Sequence, residues 1–453
     1  MQIEAFQQIK PQKLTDAELE SLAQLDVPLL NQLAALVNKR LSCAQCNGCS
    51  LRCEVLQESS LTIGSVGEGF QKILALPPKE RPKATLQLKE EQPYLYRALR
   101  RCCFCGHCTA ECQAHMLGAD RMREWRSLFM QAGLMTPTGY KLLLVDNEWN
   151  IFSAYRAIFG IEYPEFLPLS DAALLGPGVV DTLFFPGCSL VSYAPELTRK
   201  VALWLGSVGV DFAMSDACCG SPLMSIGSVE RAESLRQKIF DQIRAAGITK
   251  ILTICPGCSE EFAEIAGGEI EIIPLPEFLL EKSNVLTLED GFRLGFGDGS
   301  DAEDAWNPSS VTFFDSCHDR SNNRYGDAAR KLVQSRFPQT DQLEMKHNRN
   351  DTLCCGAGGA VTAFDNDLSQ RRAWRVIDEA RETGAETMVT MCPTCTYTFA
   401  NVCSKAEPGK GINNHHYLEL IFEQKIDWPA HFAQLESMWT GEYAHWLTET
   451  FLT

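Results

Sequence analysis

Residues 184–188 read Phe-Phe-Pro-Gly-Cys, and residues 313–317 read Phe-Phe-Asp-Ser-Cys. Each stretch is followed by a Cys-Cys-Gly triplet, at 218–220 and 354–356, and then by a Cys-x-x-Cys pair at 255–258 and 392–395. The matching cysteines lie roughly 130 residues apart, so the repeated unit is a whole domain and not a short solenoid repeat. The chain therefore contains two copies of one cysteine-rich domain.

Short β-rich runs precede the cysteines of each copy. They occupy Thr182–Phe185, Lys250–Ile254, Ile270–Ile273 and Val311–Phe314, and helix-length amphipathic stretches such as Val229–Ala246 separate them. This alternation predicts βαβ units around a parallel sheet. Because the carboxyl ends of parallel strands share one edge, five thiols of each copy are expected to converge there.

The ten cysteines form two equivalent sets. The first-copy set is Cys188, Cys218, Cys219, Cys255 and Cys258, and the second-copy set is Cys317, Cys354, Cys355, Cys392 and Cys395. Redox disulfides or zinc ligands are the alternatives, but adjacent cysteines rarely bridge each other without strain. Gly220 and Gly356 follow the paired cysteines directly, where a residue without Cβ permits a tight turn.

Eight further cysteines form two groups with the spacing of bacterial ferredoxins. The first group is Cys43, Cys46, Cys49 and Cys53, and the second is Cys102, Cys105, Cys108 and Cys112. Three closely spaced cysteines hold one cubane, and the fourth serves the other cluster in two-cluster proteins. This pattern assigns Cys112 to the cluster of the first group and Cys53 to that of the second. Glu54 and Gln113 replace the proline that usually follows, which removes no ligand. Four-cysteine zinc sites usually consist of two separated pairs and fit this spacing poorly.

The remaining sequence outlines the domain organisation. A capping box at residues 15–18 and apolar residues up to Val37 predict an N-terminal helix, and residues 120–165 are also helical in pattern. A polar connector spans residues 77–82, and a stretch rich in acid and glycine spans residues 288–310. We expect an α+β or α/β chain: a helical two-cluster ferredoxin-like domain at 1–175, a first cysteine-rich α/β domain with its acidic linker at 176–300, and a second with C-terminal helices at 301–453.

Composition excludes several function classes. The 453 residues are 45% hydrophobic and carry a net charge of −17, which argues for a globular protein and against nucleic-acid binding. No apolar run approaches the roughly 20 residues that cross a bilayer, and the first residues lack a signal-peptide pattern. We therefore expect a cytoplasmic protein without a membrane span of its own, in which 18 of the 20 cysteines serve as metal ligands. No dinucleotide or flavin motif is present.

For a few further cysteine and histidine positions near the motifs, the sequence predicts a functional role less specifically. Cys103 and Cys403 remain outside the four cysteine groups and are expected to be packed thiols. His318 follows Cys317 and could donate a proton to a departing thiolate or hydrogen-bond a cluster sulfur. The pair His415-His416 is predicted to be a loop before a helix that starts near Tyr417, with no functional role.

The two cysteine-rich copies resemble the CCG domains of heterodisulfide reductase, and the ferredoxin-type part resembles its small iron–sulfur subunit. The whole chain is similar to the fused, membrane-partnered form of the catalytic subunit. Iron–sulfur subunits of respiratory redox complexes and of glycolate, lactate and glycerol-phosphate oxidation share this architecture. The resemblance covers nearly all of residues 40–400. It implies two cubane 4Fe–4S clusters and two noncubane 4Fe–4S clusters, the latter held by the ten CCG cysteines as the catalytic groups.

The resemblance also implies a function in anaerobic respiration. Electrons would pass through the cubanes to the CCG clusters, which would reduce a disulfide substrate. The alternative is a non-catalytic electron adaptor between a dehydrogenase or flavoprotein and a membrane cytochrome and quinone. Either function needs partner subunits, such as a cytochrome b or a flavoprotein, which could hold the chain at the inner face of the membrane.

Overall fold

The computed structural model describes residues 46–112, 118–133, 139–286 and 308–452. They belong to two compact units, the first ending at Leu134 and the second beginning at Met135. The predicted N-terminal helix, Cys43 and residues 288–307 of the acidic stretch lie outside the described residues. The domain boundaries expected from the sequence remain a prediction.

The first unit is helical in its described part. Its helices are α1 Gly48–Arg52, α2 Glu54–Ser59, α3 Ile63–Leu74, α4 Arg81–Glu91, α5 Pro93–Arg101, α6 His107–Ala110 and α7 Gly118–Gln131. Trp125 and Phe129 of α7 are fully buried, and the indole of Trp125 donates a hydrogen bond to the Val66 carbonyl at 2.7 Å. The predicted connector is the turn before α4. Pro82 lies in the first turn of that helix, where a missing amide hydrogen costs no helical bond.

The second unit begins with two short helices, α8 Ile151–Phe159 and α9 Leu169–Leu175, after a 3-10 turn at Tyr140–Leu143. Asn150 caps α8 because its side chain accepts from the Ser153 amide at 3.2 Å. The helical pattern predicted for residues 120–165 is thus confirmed as two separate helices, α7 and α8.

The first cysteine-rich copy is built on a four-stranded parallel sheet. Its strands are β1 Thr182–Phe185, β2 Phe212–Met214, β3 Lys250–Thr253 and β4 Glu271–Pro274, in the order β2-β1-β3-β4. Its helices are α10 Cys188–Tyr193, α11 Pro195–Ser207, α12 Ser221–Ile226, α13 Val229–Ala246, α14 Pro256–Ala266 and α15 Leu275–Leu286.

The second copy repeats this topology. Its strands are β5 Ser310–Phe314, β6 Asp341–Leu343, β7 Thr387–Thr390 and β8 Asn413–His416, in the order β6-β5-β7-β8. Its helices are α16 Arg324–Arg336, α17 Val361–Phe364, α18 Asn366–Glu382, α19 Pro393–Cys403 and α20 Tyr417–Phe422, followed by α21 Trp428–Thr440 and α22 Ala444–Phe451. The predicted pair of βα repeats is therefore confirmed.

The two sheets share one hydrophobic core. Successive side chains of a strand point to opposite faces, so Phe184 of β1 and Phe313 of β5 both enter this shared core. Leu183 and Phe185 point into a second core that belongs to the first copy, and Phe314 points into a third that belongs to the second copy. Each sheet is thus covered on both faces, and the two copies are joined through apolar packing.

One local prediction is wrong. His415 and His416 are not a loop but the last two residues of β8, which pairs in parallel with β7. The predicted helix after them is confirmed as α20. His416 is fully buried and its side chain accepts from the Leu418 amide at 3.4 Å, so it ends the strand and caps the helix.

Candidate metal centres

The first-copy set collects where three strands of its sheet end. Cys188 opens α10 just after β1, Cys218 and Cys219 lie in the turn after β2, and Cys255 and Cys258 lie at the start of α14 after β3. The Sγ atoms of Cys188 and Cys218 are 3.3 Å apart. The structure therefore brings these five cysteines to the carboxyl edge of the sheet, as parallel strands require.

The second-copy set has the same placement. Cys317 begins a 3-10 turn after β5, and Cys392 and Cys395 lie at the start of α19 after β7. The thiol of Cys395 donates to the Cys355 Sγ at 3.3 Å, and the amide of Gly356 donates to the Cys354 Sγ at 3.4 Å. Backbone and thiol donors thus already face the sulfur atoms of this set.

The two sets meet each other. Cys255, the first residue of one Cys-x-x-Cys pair, packs against the core of the second copy, which contains Cys392, the first residue of the other pair. The helices that carry the sets also pack across the copies: α10 contacts α19, and α14 contacts the 3-10 turn at Cys317–Asp319. The sequence alone could not place the two copies relative to each other, so this junction is a finding of the structure.

The chemistry of the two sets fits a metal cluster. Hydrogen bonds with neighbouring thiols, followed by burial, raise the pKa of Cys218, Cys258 and Cys395 well above the usual value. Similar hydrogen bonds lower the pKa of Cys219, Cys255 and Cys355 well below that value. Packed thiols of this kind cannot all ionise together unless a cation compensates them, and bound iron supplies such a charge.

Glycines make room beside the sulfur atoms. Gly187 has a φ of +84°, and a Cβ at this position would lie 3.4 Å from the Cys258 Sγ. Gly356 has a φ of +91°, and a Cβ there would lie 2.4 Å from the Ser369 carbonyl oxygen. A side chain at Gly356 is therefore excluded by both backbone conformation and space.

A buried ion pair fastens the first-copy set. Arg236 of α13 donates through Nε to the Cys219 carbonyl at 3.1 Å, and its Nη2 lies 2.5 Å from the Glu261 carboxylate on α14. Both side chains are 3% exposed. The position of Glu261 in the second copy is taken by Thr398, whose hydroxyl donates to the Thr394 carbonyl. The two sets therefore have different electrostatic surroundings, which the sequence analysis did not identify.

His318 lies at the junction of the two sets. Its Nδ1 is hydrogen-bonded to the Glu260 carboxylate, a partner that the sequence analysis missed. A Cβ on Gly257 would lie 3.5 Å from the His318 ring and 3.7 Å from the Cys255 Sγ. The histidine of one copy thus stands beside a cysteine of the other.

The two ferredoxin-type groups come together in the first unit. Cys49 forms a small buried cluster with Leu56 and Ile63, and Cys53, Cys108 and Cys112 pack against it. Burial, followed by the charges of neighbouring cysteines that include Cys53, raises the pKa of Cys108 well above its usual value. Cysteines of the two motifs are therefore neighbours. Cys46 lies in the loop before α1, and Cys102 and Cys105 lie in the loop between α5 and α6.

A buried arginine adjoins the second ferredoxin-type group. Arg126 of α7 is fully buried and donates to the carbonyl oxygens of Leu99 and Cys102. Its guanidinium lies 4.3 Å from the centre of the Phe104 ring, and Phe104 itself has a φ of +55°. Burial lowers the pKa of Arg126 to about 10, so the side chain is charged at neutral pH. Nothing in the local sequence pattern distinguishes this arginine from its exposed neighbours.

The two remaining cysteines are packed thiols, as predicted. Cys103 is buried, and Cys403 packs against the core of the second copy. Burial raises the pKa of Cys403. None of the helices in the described ranges is both long and apolar enough to cross a bilayer.

Comparison with known proteins supports the resemblance seen in the sequence. The family model of the CCG cysteine-rich domain matches the chain twice, at residues 182–263 and 311–400. The chain is 22% identical over 407 residues to an uncharacterized iron–sulfur protein of Methanococcus maripaludis, covering 88% of this chain and 74% of that protein.

Two other relatives have names that specify a reaction. Over 339 residues the chain is 25% identical to one subunit of the dihydromethanophenazine:CoB–CoM heterodisulfide reductase of Methanosarcina acetivorans, covering 70% of this chain and 75% of that protein. Over 367 residues it is 22% identical to one subunit of the CoM/CoB fumarate reductase of Methanothermobacter marburgensis, covering 79% of this chain and 67% of that protein. These relatives confirm the predicted similarity to iron–sulfur subunits of redox complexes.

Proposed function

We propose that this chain, which carries two CCG cysteine-rich domains and is a homologue of the matching heterodisulfide reductase subunit, is the part of a redox complex that reduces a disulfide. Iron–sulfur electron transfer is supported by its relatives. The disulfide chemistry, the number and type of clusters and the partner subunits are the proposed part.

The observation that carries the proposal is the packing of Cys255, from the first-copy set, against the core of the second copy that contains Cys392. Reduction of a disulfide needs two electrons, whereas iron–sulfur clusters deliver one each. Two clusters that face one another across a junction could therefore act on one substrate bond. A linear relay has no need for two complete five-cysteine sets, so their retention favours disulfide reduction over a purely electron-carrying adaptor.

We assign the ligands as the sequence analysis expects. The first noncubane 4Fe–4S cluster is held by Cys188, Cys218, Cys219, Cys255 and Cys258, and the second by Cys317, Cys354, Cys355, Cys392 and Cys395. One cubane is held by Cys43, Cys46, Cys49 and Cys112, and the other by Cys102, Cys105, Cys108 and Cys53. When bound, these clusters supply one-electron transfer. The protein itself positions the sulfur atoms: among the assigned ligands that the structure describes, eight cysteines are buried, eight are half-buried and Cys46 is exposed.

Partner subunits complete the proposed pathway. The relatives with assigned reactions are named as subunits of larger reductases. We propose that a flavoprotein or a membrane cytochrome b exchanges electrons with the cubanes, and that such a partner holds the chain at the inner face of the membrane. The direction of flow that we propose is from the first unit to the CCG sets.

The test is disulfide turnover by the anaerobically purified protein. The wild-type chain is expected to contain about 16 iron atoms in four clusters. After reduction with a low-potential donor, addition of small-molecule and protein disulfides should release thiols and reoxidise the CCG clusters. Cys355→Ser and Cys219→Ser should each abolish thiol release while the cubanes stay reducible.

Cys403→Ser is the matched control, because this thiol lies on α19 with Cys395 but outside the proposed ligand set. It should retain full turnover. Reoxidation by a quinone analogue or partner protein, with no response to any disulfide, would favour the adaptor. Bound zinc in place of iron would contradict both functions.

A further inference from the structure

Two buried tyrosines link the cysteine sets in a crossed arrangement: each belongs to one copy and forms a hydrogen bond beside the Cys-x-x-Cys pair of the other copy. Tyr193 belongs to the first copy and is the last residue of α10, the helix that begins at Cys188. Tyr325 belongs to the second copy and lies in the first turn of α16. Both side chains are almost fully buried, with 8% and 2% of their surface exposed. Burial raises the pKa of both far above the usual value, so both hydroxyls keep their protons.

Tyr193 bonds to the cysteine pair of the opposite copy. Its hydroxyl donates to the Pro393 carbonyl at 2.7 Å, and Pro393 stands between Cys392 and Cys395. The ring packs against the rings of Tyr397 and Trp428, with centroids 6.1 and 5.0 Å away. These contacts leave the hydroxyl little freedom to find another acceptor.

Tyr325 of the second copy makes a contact in the opposite direction, to the first copy. Its hydroxyl donates to the Thr253 carbonyl at 3.1 Å and lies 2.6 Å from the Ser259 hydroxyl. Thr253 ends the strand that leads to Cys255, and Ser259 directly follows Cys258. Tyr325 of the second copy is thus hydrogen-bonded to residues before and after the cysteine pair of the first copy.

Each tyrosine is also tied to the first cysteine of its own copy. Tyr193 shares a single short helix with Cys188. The amides of Tyr325 and Gly326 donate to the Asp319 carboxylate at 3.1 and 2.8 Å, and Asp319 lies in the same 3-10 turn as Cys317. Each first cysteine is therefore connected to the opposite Cys-x-x-Cys pair through one tyrosine hydroxyl.

We propose that Tyr193 and Tyr325 are crossed positioning residues, each of which fixes the geometry of the cysteine set in the other copy. A hydrogen bond to the backbone beside a ligand orients that ligand, as outer contacts do at other metal sites. Neither copy then forms its complete site alone, since each depends on a hydroxyl from its neighbour. This inference rests on the proposed ligand sets for its spectroscopic test only.

The test compares Tyr193→Phe and Tyr325→Phe in the full-length, anaerobically purified chain. Cys355→Ser and Cys219→Ser identify the electron paramagnetic resonance signals of the second and first CCG sets. Tyr193→Phe should shift the second-copy signal and leave the first unchanged, and Tyr325→Phe should do the reverse. Tyr397→Phe is the matched control, because its ring packs on Tyr193 while no described hydrogen bond uses its hydroxyl. It should shift neither signal.

A second measurement separates this inference from the proposed function. Alkylation of the iron-free chain, read by peptide mass spectrometry, should show faster labelling of Cys392 and Cys395 in Tyr193→Phe, and of Cys255 and Cys258 in Tyr325→Phe. If wild-type protein lacks iron at the CCG sets, the proposed function fails while this crossed labelling still tests the tyrosines. Effects confined to the tyrosine's own copy, equal effects on both copies, or no effect would overturn the crossed arrangement.

Discussion

Arg236 and Glu261 show how much a single residue contributes at the cysteine sites. Glu261 is 3% exposed, and its loss as a carboxylate would leave the buried Arg236 guanidinium with only the more distant, exposed Glu264 as a charge partner. Breaking a buried ion pair from one side costs about 3–5 kcal/mol. We therefore expect Glu261→Gln to lower the free energy of unfolding by about that amount, measured by anaerobic denaturant titration.

Glu264 provides the control for this prediction. It lies on the same helix, 3.9 Å from Arg236, but its side chain is 70% exposed. Exposed ion pairs contribute about 0–1 kcal/mol, so Glu264→Gln should change the stability little. Equal losses in the two variants would show that burial of the pair is not what stabilises the site.

Sequence reasoning at the residue scale found the cysteines but not their neighbours. The motifs specify the ligands because spacing along the chain and sheet topology determine where a cysteine can lie. Arg126, Glu260 and Glu261 carry no such signal, because each finds its partner only through tertiary packing. A buried charge and an exposed charge have the same letter in a sequence.

At the scale of single elements, the turn after the paired cysteines of the second copy depends on Gly356. Alanine there would meet the Ser369 carbonyl oxygen as well as the penalty of a positive φ. Gly384 has a φ of +78° but no atom within 4 Å of its Cβ position, which makes it a matched control. Gly384→Ala should cost about 1–2 kcal/mol of unfolding free energy. Gly356→Ala should cost clearly more and should also remove iron from the second-copy set. Similar costs at the two positions, with iron retained, would contradict this role of the turn.

The elements themselves were predictable where side chains alternate between two apolar cores. β1 and α13 have the predicted bounds, because β1 is a short run of β-forming residues and α13 has the apolar pattern of an amphipathic helix. β2 and β6 have three residues each, too few for a pattern to emerge. β8 was mistaken for a loop because Asn-Asn-His-His has low strand propensity. Backbone pairing with β7 determines its conformation instead.

At the scale of the whole molecule, iron content can show whether the fourth cysteine of each ferredoxin-type group binds the cluster of the other group. Cys53 contributes to the electrostatic environment of Cys108, which belongs to the other motif. If the fourth cysteines are exchanged, Cys53→Ser should perturb the cubane held by Cys102, Cys105 and Cys108, and iron should fall from about 16 toward about 12 atoms per chain. Iron analysis and low-temperature spectra measure this. Loss of the Cys43 group's signal, with the other cubane intact, would show that each motif closes on itself.

The shared core has a consequence for the ancestry of the chain. Val201 and Leu205 from one copy and Ala329 and Leu418 from the other are all buried in it, so a chain with a single copy would expose a broad apolar face. Such a face is covered most simply by a second identical molecule, related by a two-fold axis. The core shared by the two copies is what gene duplication would produce if it fused the two subunits of such a homodimer.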